Sequence, residues 1–269
     1  MRLHRKRGPR PSSRAGALLL APLVVLLALP WHGVSAAGAE DSCVNCHSDP
    51  DFVVTNRKLY DYYQRWTISV HSQEDVTCVD CHGGNARVSG KQGAHGVALA
   101  ASNAKSAVNF RNIPRTCGEC HEEIYAGFRE SAHFDHVVAK QQEEQGPTCV
   151  TCHGSINVAV LNVVTVEEAC ARCHNEETDN HPENPVEARS LLNKFLSIHR
   201  YYRYITVRGD PADTKPFFKQ VDAQIHSLSI AWHTFDLDEI GAQTQVVLDA
   251  LREKRKEVSR VYKERRDAR

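Results

Sequence analysis

All ten cysteines of the chain fall in five copies of one pentapeptide, Cys-x-x-Cys-His. They are Cys43 and Cys46 before His47, Cys78 and Cys81 before His82, Cys117 and Cys120 before His121, Cys149 and Cys152 before His153, and Cys170 and Cys173 before His174. Two thiols at this spacing can form thioethers to the two vinyl groups of a haem, and the imidazole that follows directly can take the iron as proximal ligand. Zinc ribbons use two cysteine pairs per ion, which would strand one pair of the five. Neither zinc nor a disulfide framework accounts for the histidine behind every pair. The cofactor expectation is therefore five covalently attached haems c, each bringing one iron.

An iron held in this way has a second axial position. The only methionine is Met1, so histidine is the expected partner, and an all-histidine set favours low reduction potentials. His71 in Ser-Val-His and His133 in Ser-Ala-His occupy the same place in two repeated units, each between a first and a second motif. They are expected as distal ligands, together with His95 in Gly-Ala-His-Gly, His199 on a helical apolar face, and His233 beside Trp232. His226 shares a helical face with His233, His136 stands one turn from His133, and His181 lies in Asn-His-Pro; these three are expected outside the ligand set. Asp80 and Glu119, inside motifs, read as solvated loop charges.

These ligands need elements to carry them. The fold class expected is mainly α with extensive irregular loops, a haem array wrapped by short helices at residues 40–182 and a C-terminal helical hairpin or three-helix bundle at 183–269. In the second region Asn184-Pro185 with Glu187 opens a helix bearing Leu191, Leu192, Phe195, Leu196, His199 and Tyr202. Arg208-Gly209-Asp210-Pro211 stops it. A second helix is expected from about Lys215 to Leu237, with Val221, Ile225, Leu228, Trp232 and Phe235 on one face, and a third past Gly241. The glycines at 83, 84, 90, 93 and 96 mark a loop, and no stretch alternates as a strand would.

Residues 1–36 read as a signal peptide: a basic start with six Lys/Arg before Ala17, an apolar run of about 14 residues to Pro30, and small residues around Ala36. The run falls short of a full bilayer span, and an uncleaved membrane anchor is the alternative. Export to the periplasm is expected either way, because haem attachment to such motifs happens outside the bacterial cytoplasm. Past the leader the balance is 27 basic against 33 acidic residues, and 252–269 holds nine basic and four acidic ones. Such asymmetry can steer a redox partner. No phosphate-binding glycine loop and no nucleophile elbow is found, and an exported haem protein has no nucleic-acid partner to bind through its basic tail.

The order Cys-x-x-Cys-His, Tyr-x-x-Phe/Tyr, Ser-x-His, Thr-Cys-x-x-Cys-His-Gly resembles the bacterial multihaem cytochromes related to the tetrahaem acceptor of hydroxylamine oxidoreductase, within the wider nitrite reductase and hydroxylamine oxidoreductase superfamily. The resemblance spans about Cys43 to His174 and implies haems stacked into a continuous wire. The chain lacks the Cys-x-x-Cys-Lys motif of the nitrite reductases, and no tyrosine matches a hydroxylamine oxidoreductase crosslink. A periplasmic pentahaem electron carrier is the leading expectation, working between a quinol-linked membrane dehydrogenase and a terminal reductase. A small reductase of nitrogen or sulfur oxyanions with one five-coordinate haem, and a membrane-anchored quinol dehydrogenase, are the alternatives.

Overall fold

In the first region of the protein, residues 41–183, backbone order comes one turn at a time. The computed structural model describes residues 41–96, 99–139, 146–156 and 161–268; the expected signal peptide lies outside them. Short helices follow one another as α1 (Ser42–His47), α2 (Phe52–Thr55), α3 (Arg57–Thr67), α4 (Val70–Gln73), α5 (Cys78–His82), α6 (Lys91–His95), α7 (Ile113–Gly118), α8 (Glu122–Arg129) and α9 (Ala132–Phe134). A π-helical turn, Asp135–Ala139, precedes α10 (Cys149–His153) and α11 (Val163–Ala171). Helices this short are unstable on propensity alone, so each is fixed by caps and by what it packs against. No strand occurs among the described residues, and the glycine loop expected around 90–96 contains the one-turn helix α6.

Three long helices make the second region: α12 (Asn184–Arg208), α13 (Pro211–Ala231) and α14 (Leu237–Asp267). Their connections are so short that successive helices must run antiparallel. Leu191, Ile198 and Ile205 recur every seven residues on α12, Val221 and Leu228 on α13, and Ile240, Val247, Leu251 and Val258 line α14. Seven-residue spacing keeps one seam facing its neighbour along nearly aligned helices, and all of these side chains are buried. None of the described helices is long and apolar enough to cross a membrane.

The helix boundaries differ from the sequence expectation at both ends of α13. Asp210 accepts from the Ala212 N–H at 3.0 Å, so Asp210-Pro211 starts α13 as well as stopping α12. The helix ends at Ala231 rather than near Leu237, and Phe235 sits in the following turn with φ +61°. Asp236, accepting from Glu239 N at 2.9 Å, then caps α14, which carries Gly241 inside it.

Several contacts hold the regions together. At Gly127 of α8 a Cβ would stand 2.9 Å from the Ile230 carbonyl and 3.0 Å from its side chain, so α8 and α13 meet at a distance only glycine permits. Beside it the Glu123 carboxylate pairs with His226 Nε2 at 2.6 Å, and Arg189 of α12 pairs with Glu167 of α11 at 2.7 Å.

Candidate functional site

The motifs are built as capped single turns. Side chains three residues into the turn close α5 and α10 at their starts: the Asp80 carboxylate accepts from Thr77 N–H at 2.6 Å and the Thr151 hydroxyl accepts from Thr148 N–H at 3.0 Å. Asp80 is thus the N-terminal lock of its motif rather than a free loop charge. Gly83 and Gly154, at φ +71° and +84°, stop the same helices immediately after His82 and His153. In α1 the Asp41 carboxylate caps Cys43 and Val44. The third and fifth motifs leave their helices, yet His121 N–H still closes on Cys117 O and His174 N–H on Cys170 O, both at 2.9 Å. Each turn therefore sets a cysteine and the histidine four residues on along one side.

Consecutive motifs are neighbours in space. The Cys78 thiol feels Cys43, Cys81 feels Cys117 and Cys120, Cys117 hydrogen-bonds Cys149, and Cys152 feels Cys170 and Cys173. Burial is the leading influence on Cys78, Cys81 and Cys152, and it pushes both Cys78 and Cys152 up to about 11.

Four of the motif histidines face a second imidazole. Ring centres are 6.1 Å apart for His47 and His95, 6.2 Å for His121 and His71, 6.0 Å for His174 and His133, and 6.1 Å for His153 and His233. An imidazole nitrogen lies about 2 Å from a first-row metal ion and its ring centre about 1 Å farther, so two rings on opposite sides of one ion stand roughly 6 Å apart. Among the described residues no cluster of three or more metal-binding side chains occurs. Facing pairs suit an iron whose other four ligands come from a macrocycle.

The ring nitrogens fit that use. Nδ1–H of His174 donates to Asn180 O at 2.8 Å and Nδ1–H of His233 to Ser229 O at 2.9 Å; a carbonyl can only accept, so Nε2 of each is left with its lone pair for a metal. His133 has a buried Nδ1 with no hydrogen-bond partner, costly unless that nitrogen or its ring meets a Lewis acid. Burial and then the neighbouring imidazoles, His174 and His136, hold His133 at about 4, and burial leads the downward shifts of His47, His82 and His233. These rings stay neutral, the ligating form.

The repeated serine has a mechanical role that sequence reasoning missed. Ser69 and Ser131 are buried. Ser69 Oγ donates to Trp66 O at 2.7 Å and accepts from Ser72 N, and Ser131 Oγ donates to Phe128 O at 2.6 Å and accepts from Phe134 N. Each serine ends one helix and begins the next, which aims the histidine two residues on. The aim is regular: His71, between motifs one and two, faces motif three, and His133, between motifs three and four, faces motif five. Phe235, expected on the apolar face of the second helix, lies past its end instead; its ring packs edge-on against His133 at 4.4 Å and stands 6.3 Å from buried Phe128.

Other expected histidines go elsewhere. His199 is exposed on α12 and lies edge-on to Phe195, so it is not brought to a motif. The reason is periodicity: Leu191, Ile198 and Ile205 define the buried seam, and His199 is turned about 100° away from Ile198. His181 stands 6.4 Å from His174, already faced by His133, and pairs with Glu183 at 3.3 Å. His82 faces no second imidazole among the described residues; His47 and His95 are its nearest influences after burial.

A family model described as cytochrome c7 and related cytochrome c matches residues 101–175, which contain the last three motifs. No curated protein and no solved structure matches the chain. The repeated attachment motif, the imidazoles set across from it and this family match together make the chain a multihaem c-type cytochrome, a class that works in electron transfer.

Proposed function

We propose that this is an exported, periplasmic pentahaem cytochrome that relays electrons between a quinol-linked membrane dehydrogenase and a terminal reductase. Bound haem supplies one-electron cycling between ferric and ferrous iron. The chain's share is to tether, ligate and space. The ten cysteines hold the macrocycles, and His47, His82, His121, His153 and His174 are the proximal ligands. His95, His71, His233 and His133 serve as distal ligands to the first, third, fourth and fifth of these. The observation that carries the reading is the set of four imidazole pairs spaced 6.0 to 6.2 Å apart.

The motif order supports a wire, since each motif neighbours the next along the chain. Two histidines on each of four irons leave those irons no room for substrate, which suits a relay better than a reductase. The basic end of α14 offers a steering surface for an acidic partner. Intact mass measurement of the purified protein tests the count: five haems are expected, and fewer overturn the pentahaem reading. Redox titration with an optical readout should then show all five irons cycling below the range of methionine-ligated haems. N-terminal sequencing separates carrier from anchored dehydrogenase, with a mature start near Ala37 expected.

A further inference from the structure

We propose that the haem held by Cys78, Cys81 and His82 keeps an open axial position, making it a binding site for small π-acceptor ligands within an otherwise bis-histidine array. The inference rests on the pentahaem reading and asks what the chain can offer the second iron. All thirteen histidines beyond residue 40 lie among the described residues. Eight of them form the four facing pairs, and His82 itself is the ninth.

Each of the remaining four is engaged elsewhere. His226 is bound to Glu123 of α8 at 2.6 Å, and His199 is exposed against Phe195 on α12. His181 belongs to the His174 neighbourhood, and His136 is among the groups that lower His133. Met1, His4 and His32 fall in the expected leader and every cysteine in a motif, so past the leader no other soft or imidazole ligand remains.

Internal repetition gives the same answer independently. His82 and His153 end identical Thr-Cys-x-x-Cys-His-Gly turns, each stopped by a left-handed glycine. The partner of His153 comes from outside the repeat, from His233 at the end of α13, and α8 docks there through Gly127. The helical bundle of residues 184–267 serves the second unit through His233. Among the described residues no histidine of α12, α13 or α14 is brought to the corresponding turn of the first unit. Its position is also central: Cys78 neighbours the first motif and Cys81 the third, so electrons can reach this site from both sides.

Carbon monoxide titration of the fully reduced holoprotein, followed optically, tests this. About one equivalent should bind rapidly per protein, because a bis-histidine iron has no vacant position until a histidine leaves. Uptake of none, or of two or more, overturns the proposal. His233→Ala should raise uptake to about two by opening the fourth haem; an unchanged value contradicts the pairing on which the argument depends. To locate the site, His82→Met keeps both thioether anchors and changes the group opposite the ligand, so the absorption maximum of the adduct should move. An unmoved maximum places the ligand on another iron. Cys78→Ala/Cys81→Ala should remove uptake with four haems retained, and retained uptake there likewise refutes the assignment. Five haems by mass with no uptake would sink the open position and leave the relay reading standing, whereas fewer than five would sink the relay count itself.

Discussion

Among the described residues between 41 and 183 three hydrophobic side chains are buried, Phe128, Val137 and Val166, whereas the C-terminal helices bury twelve. The bundle carries its own seam of Leu, Ile and Val. The motif region has caps, turns and aimed imidazoles but almost no apolar interior. Five flat macrocycles would supply the missing core, so in that region the cofactor is expected to be structural as well as redox-active. The two regions meet where α8 packs on α13 and α11 on α12, and there His233 of the C-terminal region stands 6.1 Å from His153 of the motif region.

Several changes would break or sharpen this contrast. Producing the full chain without haem attachment should have the largest effect: in hydrogen exchange, amides of 41–175 should lose protection while those lining the bundle seam keep it. Equal loss in both regions would dissolve the distinction. Leu228→Ala, at a fully buried seam position, should cost about 2–5 kcal/mol in denaturant unfolding. Gly127→Ala pushes a methyl onto the Ile230 carbonyl and should cost about 1–3 kcal/mol by overpacking. It should also disturb the low-spin signal of the haem served by His233, which ties the two regions' fates together.

Smaller effects probe the motif region alone. Ser69→Ala and Ser131→Ala should each lose about 1 kcal/mol by removing a cap, and the third and fifth irons should show weakened distal ligation in the same samples. The smallest effect is acid-dependent. Thr77 donates its hydroxyl and its backbone N–H to Asp80, which holds that carboxyl below its ordinary value. A depressed carboxylate adds stability above its unfolded pKa and loses it as pH falls through the folded one. Asp80→Ala should therefore flatten the stability profile below about pH 4, and melting the bundle seam should show no such change.

Much of this was legible in the sequence, for physical reasons that also explain the gaps. Covalent attachment requires fixed local spacing, so the cysteines and proximal histidines stand in the open as motifs. Long helices advertise themselves through period, which gave α12 nearly residue by residue. Distal ligation is a long-range matter: nothing near His71 says that it faces His121, because the offset of two motifs emerges only when Ser69 and Ser131 turn the chain. His199 misled because a broad apolar face was counted without locating the seven-residue seam inside it. Asp210-Pro211 was read as a stop alone, although an Asn/Asp before proline starts helices as readily. Phe235 fits the apolar spacing of a helix running to Leu237, but its left-handed backbone and contact with His133 depend on α13 ending at Ala231.

The central claim is that the chain's histidines work as axial pairs in a fixed assignment. Near-infrared magnetic circular dichroism of the fully oxidised holoprotein tests it most directly, because it reports the ligand pair on each low-spin iron. The account predicts bis-histidine signals for four of the five irons and a high-spin signal for the fifth. Fewer than four bis-histidine irons would contradict it.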